Sequence, residues 1–349
     1  MNCNFTCMSN LFHNNKDSSG ELFQGWSFEK ENYSFFIAGI VSVILGYIFM
    51  ATGETLPGIS IMLKNNGIIS NKWLFEFFTK MKGYDKSIQA GTFTFKNVRT
   101  NNDIIDNLVY GKPDRKKITF LEGWNIKQVA RHLEKQMKFN YSELIDLFND
   151  ENFIKKLKLN VNTLEGYLFP ETYYFFEGVD KKSLVRRLVN EHKLFWNKEN
   201  ISKADSLGFS PYEIIIIASI IEGEAIYDSE RPTISAVYHN RLKRGMKLQA
   251  DPTVQYIIKD GPRRLLNRDL RIKSPYNTYM YKGLPPGPIN SPGTQSLHAA
   301  LNPQINDYLY FVAKGDGYHT FSKNEKEHER AKRAFQRVRK KVKRERAGS

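Results

Sequence analysis

The chain has 349 residues, 41% of them hydrophobic and 13% aromatic, which suits two or three globular units with buried cores and excludes a low-complexity chain. Its only cysteines, Cys3 and Cys7, exclude a disulfide framework or a cysteine metal site in the bulk of the chain, and its seven scattered histidines lack ligand spacing, so no metal and no cofactor are expected. The formal net charge is +15, and from Phe321 to Ser349 six Lys and six Arg stand against four Glu. That balance suits nucleic acid, anionic lipid or an acidic wall polymer, and equally a plain solvated surface; charge alone selects no partner.

Residues 1–34 carry Asn, Ser and Gly with little periodicity and read as a largely disordered tail. Phe35 to Ala51 (FFIAGIVSVILGYIFMA) is apolar and uncharged. As a helix at ~1.5 Å per residue it spans roughly 25 Å, at the short end for a bilayer. A buried soluble helix and a signal peptide cleaved near Ala51-Thr52-Gly53 are the alternatives. The long, barely basic leader favours an uncleaved anchor over residues 35–53. Lys16 and Lys30 before it, against a first later cation at Lys64, place the N-terminus inside and the rest outside.

Residues 54–112 read as a small α/β unit. "IMLKNNGII" has a helical beat ending at Gly67. "NKWLFEFFTKM" reads as a second helix with Trp73, Phe77 and Phe78 on its apolar side. "AGTFTF" alternates like a strand. "TNNDIIDNLVYGK" reads as a third helix, with Ile104, Ile105 and Leu108 inward and a stop at Gly111 and Pro113. "KITFLEG" then resembles a strand, and "NIKQVARHLEKQ" an amphipathic helix capped by Asn125. Residues 141–158 look helical, "LEGYLFPETYYF" is an aromatic run broken by Gly166 and Pro170, and 181–203 reads as one further helix.

"IIIIASIIEGEA" (Ile214 to Ala225) is the most informative stretch. Ser210 fits a helix N-cap, Pro211 the first turn, and Glu213 completes a capping box. Apolar side chains go most of the way round, so the helix should be buried. At about 100° per residue, Glu222 shares a face with Ile215, Ala218 and Ser219, and Glu224 lies on the other side. A half-buried carboxyl at a helix C-terminus resists ionisation, which makes Glu222 a candidate proton donor. "HNRLKRGMKLQADPTVQY" and "SPYNTYMYKGLPPGPINSPG" follow. The second, rich in Pro, Gly, Tyr and Asn, is no regular helix or central strand and reads as a rigid loop able to line a cleft.

With "LEGYLFPETY" before these blocks and "YLYFVAKGDGYHTFS" after them, the chain resembles the YceG-like family of endolytic murein transglycosylases over roughly residues 35–330. The resemblance implies an α+β protein. It would have a single N-terminal transmembrane helix, a LysM-like α/β subdomain over 54–158, a mixed α+β catalytic domain over 159–330, and a basic tail over 331–349. It implies an inner-membrane protein facing the extracytoplasmic space. It would cut the β-1,4 bond between N-acetylmuramic acid and N-acetylglucosamine within peptidoglycan strands. It further implies association with glycan-polymerising synthases and no nucleic-acid partner.

The catalytic glutamate of the family matches Glu222. Protonated, it would give its proton to the glycosidic oxygen, then take one from the muramic acid C6 hydroxyl as that closes a 1,6-anhydro ring. The matching blocks also carry Glu165, Tyr167, Glu171, Asn240, Arg241, Gln249, Asp251, Thr253, Tyr276, Asn277, Tyr279 and Asn290, expected to line the cleft, orient Glu222 or hold the loop. Arg241 alternatively pairs with a carboxylate such as Glu224, Asp251-Pro252 alternatively starts a turn, and His319 is expected to be structural. Two other readings use the same residues. One is a muramidase with Asp251 or Glu224 as second carboxylate; the other is a wall-binding scaffold indifferent to Glu222.

Overall fold

The computed structural model describes residues 48–50 and 55–347, without 90, 94, 96, 97, 99, 112–114, 177, 260 and 262. The chain divides into two compact units, Met1–Lys116 with Phe176–Gly178, and Lys117–Phe175 with Val179–Ser349. The division thus falls near residue 116, not near 158. The reason is packing: Val129, Leu133, Leu144, Phe148 and Phe153 share one core with the isoleucines of 214–221.

In the first unit, β1 (Ile48–Met50), α1 (Leu56–Asn65), α2 (Lys72–Met81), β2 (Gly91–Phe93) and α3 (Asn101–Tyr110) follow in order. β1 pairs antiparallel with β2, Ile48 opposite Phe93 and Met50 opposite Gly91. The end of the apolar run is therefore a strand, not the last turn of a membrane helix. Residues 35–47 and 51–53 of the expected anchor, and the tail before them, lie outside the described residues. Among the described residues no single helix is long and apolar enough to cross a membrane.

The helix ends follow local chemistry. Thr55 caps α1, and Gly67 at φ 71° turns the chain so that the Ile68 N–H reaches the Leu63 carbonyl at 2.9 Å. Thr100 and Asp103 form a reciprocal capping box on α3, which buries Ile104, Ile105 and Leu108. On α2 the facing differs from the sequence expectation. Phe75 and Thr79 are the buried pair and Phe78 is half-buried. Trp73 is 67% exposed and Phe77 47%, their rings stacked at 5.6 Å. Residues 73 and 77 are one turn apart, so the pair that looked like the core stripe covers itself on the outside.

β3 (Arg115–Thr119) pairs with β4 (Thr172–Phe176), most of each strand belonging to the second unit, and just beyond them the Phe120 N–H donates to the Glu171 carbonyl at 3.0 Å. α4 (Ile126–Met137) starts at an Asn125–Gln128 capping box, and α5 (Tyr141–Phe148) and α6 (Glu151–Lys156) follow. The single helix expected over 181–203 is two, α7 (Lys181–Phe195) and α8 (Lys198–Leu207). Asn197 splits them, its side chain accepting from the Asn200 N–H at 2.9 Å as a fresh N-cap.

α9 (Pro211–Glu224) is the central helix, with every residue from Ile214 to Ile221 buried. Its cap is as the sequence predicts: the Ser210 N–H donates to Glu213 at 2.8 Å and the Glu213 N–H returns to Ser210 Oγ at 3.3 Å. α10 (Arg231–Lys243), α11 (Asp251–Ile257) and α12 (Thr294–Leu301) surround it. β5 (Tyr310–Ala313) and β6 (His319–Ser322) form an antiparallel hairpin. α13 (Glu325–Ala347) packs on that hairpin, where a Cβ on Gly315 would stand 3.6 Å from both Phe335 and Val338. The basic end is thus a continuous helix running through residue 331, not a separate tail.

Candidate active site

The small residues on α9 make room for backbone. Ser219 Oγ donates to the Ile216 carbonyl at 2.8 Å and accepts the Ile289 N–H at 3.2 Å, while the Ser219 carbonyl accepts from Asn290 Nδ2 at 2.9 Å. The Pro/Gly-rich loop is thereby sewn onto the helix one turn before Glu222. Gly166, at φ 82°, admits the same loop: a Cβ there would stand 2.6 Å from Pro288. A second strip of chain closes from the other side. The Gly123 N–H donates to the Ser291 carbonyl at 2.9 Å, and the Ser291 N–H to the Trp124 carbonyl at 2.8 Å.

Glu222 sits where these segments meet, its side chain 7% exposed. Oε1 accepts from the Arg231 guanidinium at 3.2 Å and Oε2 from the Gly293 N–H at 3.0 Å. Arg231, itself 6% exposed, also donates to Asp228 at 2.8 Å and to Ser296 Oγ. The sequence leaves Glu222 facing only a helix end and a wall of small residues. The structure instead supplies a cation and an amide, one donor for each oxygen, which is the arrangement an acceptor-only carboxylate fits. Neither Arg231 nor Gly293 is among the residues singled out from the sequence. Arg231 lies nine positions beyond Glu222, past the end of its helix, where periodicity says nothing.

Glu224 faces a different environment, as the helical spacing predicts. It accepts from the Tyr238 hydroxyl at 3.1 Å, and burial, helped by the charge of Asp251, pushes its pKa up to about 7. A cavity of about 470 Å³ opens here, lined in part by Gly123, Gly223, Glu224, Asp251, Tyr256 and Asn290. Glu222 is not in that lining. It stands at the cavity's margin, its Cγ 3.6 Å from where a Cβ on Gly123 would be, next in the chain to Gly223.

The remaining predicted residues separate into wall and frame. Asp251 begins α11 and accepts from the Tyr279 hydroxyl at 2.5 Å, and Asn290 lines the cavity beside it. Thr253 is fully buried against Thr278 and the Ala250 carbonyl, at 2.9 and 2.7 Å. Asn277, also fully buried, donates to the Leu270 and Ile272 carbonyls at 3.1 and 2.8 Å and so folds the loop on itself. Tyr276 packs on Tyr256 with ring centroids 5.0 Å apart. Asn240 donates to the Asn306 and Tyr308 carbonyls at 2.9 and 3.0 Å.

Arg241 forms no ion pair with Glu224. It donates to the carbonyls of Leu309, Lys247 and Leu248 and to Gln249 Oε1, at 2.6, 3.2, 2.8 and 3.3 Å. Gln249, at φ 50°, is thus the strained corner of a turn that Arg241 holds.

In the earlier block, Glu165 is 1% exposed and lies under the site. It accepts the Ile126 N–H at 3.1 Å and the Tyr256 hydroxyl at 3.3 Å, and burial pushes its pKa up to about 8. Tyr167 is a core ring, 4.9 Å from His192. Glu171 is exposed and accepts the neighbouring Thr172 N–H at 2.9 Å. His319 pairs with buried Glu230 at 2.9 Å, a structural contact as expected.

One further carboxyl shares the Glu222 environment. Glu122 projects from the turn after β3, and a Cβ on Gly293 would stand 1.8 Å from its Oε1. In sequence it is an acid in a turn between a strand and a capped helix, where solvated carboxylates are common, and nothing local marks it.

The YceG-like family model matches residues 48–334. A Bacillus subtilis (strain 168) protein named endolytic murein transglycosylase is 34% identical over 304 residues, 82% of this chain and 84% of its own. A Streptococcus pneumoniae (serotype 2, strain D39) protein of the same name is 28% identical over 313 residues; the match takes in 80% of this chain but 56% of that relative. The crystal structure of a YceG-like protein from Listeria monocytogenes superposes with a TM-score of 0.58 at 30% identity, over 82% of this chain and 98% of that one. With a family match across most of its length and these relatives, the chain belongs to the YceG-like family.

Proposed function

We propose that this protein is a lytic transglycosylase acting within peptidoglycan glycan strands, cutting between N-acetylmuramic acid and N-acetylglucosamine and leaving 1,6-anhydro-muramic ends. The observation that carries the reading is Glu222, a nearly buried carboxyl just after the buried run Ile214–Ile221 of its helix, beside a polar cavity and held through both oxygens. The similarity to proteins named endolytic murein transglycosylase supports the substrate.

A retaining or inverting hydrolase places two carboxyls across the scissile bond, one of them activating water or forming a glycosyl-enzyme. In the proposed reaction the muramic acid C6 hydroxyl is the nucleophile. A carboxylate held by Arg231 and the Gly293 N–H is positioned to take that hydroxyl's proton as the oxygen attacks the anomeric carbon. No water enters the product. The anchor is proposed to lie ahead of β1, within residues 35–47 of the apolar run Phe35–Ala51. Release of nascent strands near membrane-bound synthases is its proposed purpose.

The test is digestion of peptidoglycan by the full chain and by Glu222→Gln, with product ends read by mass spectrometry. The native chain should yield anhydro-muramic ends, and the variant should be slower by at least ~100-fold, the lower range for losing a general acid or base. Free reducing ends from the native chain would make it a hydrolase. Loss of membrane association on removing residues 1–47 tests the anchor.

A further inference from the structure

Building on the transglycosylase reading, we propose that Glu122 is the second catalytic carboxyl of this site, the group that hands its proton to the glycosidic oxygen while Glu222 serves as the base. The two carboxyls bracket one residue. Glu222 Oε2 receives the Gly293 N–H at 3.0 Å, and the Glu122 carboxyl lies against the Gly293 α-carbon, in the space a Cβ would fill. The φ of Gly293 is −75°, which any residue adopts, so glycine here serves the close approach of Glu122, not a backbone turn.

The partners divide unequally. Glu222 has the Arg231 guanidinium and the amide, whereas Glu122 accepts no hydrogen bond from any described residue and is exposed towards solvent. Partial burial first, and then the charges of Glu222, Asp228 and Glu171, raise the pKa of Glu122, with Arg231 opposing them. A carboxyl held through both oxygens by donors, beside a second one whose pKa is raised, suits a base and an acid.

The step balances. Glu122 protonates the leaving 4-oxygen of N-acetylglucosamine as its bond to the muramic anomeric carbon breaks. The C6 oxygen closes on that carbon, and its proton passes to Glu222. Proton return from Glu222 to Glu122 restores the starting state, with no oxidant, reductant or water consumed.

The experiment measures peptidoglycan cleavage by the full chain, Glu122→Gln, Glu122→Asp and Gly293→Ala from pH 4.5 to 8.5. Strand binding by pull-down and thermal melting run alongside. Glu122→Gln should lose about 100-fold or more in rate, within the usual range for a general acid, with strand binding and melting kept. The native rate should fall on the alkaline side as Glu122 gives up its proton, and Glu122→Gln should lose that fall. Glu122→Asp should recover part of the rate. Gly293→Ala places a methyl where the Glu122 carboxyl sits yet keeps the N–H to Glu222, so it should reproduce the loss, and combining it with Glu122→Gln should add little.

A Glu122→Gln rate within threefold of native with an unchanged pH profile overturns the inference. If Glu122→Gln does not fold, a fully active Gly293→Ala overturns it just as well. A native chain that yields no anhydro ends defeats the underlying reading instead, and free reducing ends would assign the same carboxyl pair to hydrolysis, which also overturns the proposed division of roles.

Discussion

Glu165 gives the sharpest test of the energetics. Its carboxyl is 1% exposed and burial sets its pKa at about 8, against 4.5 for a solvated glutamate. Between those two values the folded chain holds a proton that the unfolded chain releases. Stability therefore falls as pH rises through that window, and the contribution of this group is most favourable below about 4.5. At ~1.4 kcal/mol per pH unit the fall amounts to about 5 kcal/mol by pH 8, and about 3 kcal/mol by pH 7. Glu165→Gln keeps an acceptor for the Ile126 N–H and the Tyr256 hydroxyl without any charge to release. Urea unfolding of the native chain and the variant at intervals from pH 4.5 to 8.5 should give curves that meet at the acid end and separate upwards, with the variant more stable. Glu224 titrates in both proteins and cancels from the difference. Parallel curves would refute the reasoning, because they would mean that Glu165 ionises as freely folded as unfolded.

Two further outcomes follow from packing. Trp73→Ala should change stability by less than ~0.5 kcal/mol, because Trp73 is 67% exposed, whereas Phe75→Ala, at a fully buried position, should cost ~3–5 kcal/mol; a pair of thermal melts decides whether α2 faces as described. Gly223→Ala should lower the melting temperature and the cleavage rate together, since its Cβ would stand 2.6 Å from Pro252 at the start of α11. Overpacking of ~1–3 kcal/mol outweighs the ~1 kcal/mol of helix propensity gained, and a higher melting temperature would contradict the geometry.

What could be read in the chain was short-range. Ser210, Pro211 and Glu213 announce the start of α9, and Thr100 and Asn125 the starts of α3 and α4, because a cap is a bond between residues three apart. The opposite facing of Glu222 and Glu224 follows from helical pitch alone, and their separate partners, Arg231 and Tyr238, bear it out. The ordered motifs likewise carried the family.

Other features depend on which surfaces meet. Ile48–Met50 is apolar enough for a membrane helix, and its partner strand β2 makes it a strand. On α2, Phe75 and Trp73 are equally apolar, and the neighbouring helices determine which one is buried. Glu122 and Glu222 are a hundred positions apart and have no local relation. They come together because Ser219 and Asn290 sew one loop onto α9 while Gly123 and Ser291 join another beside it. Caps and periodicity extend only a turn or two along the chain. The charge around a buried carboxyl is set by the packing of the whole core, so the position of Glu222 on its helix was legible in the sequence and its surroundings were not.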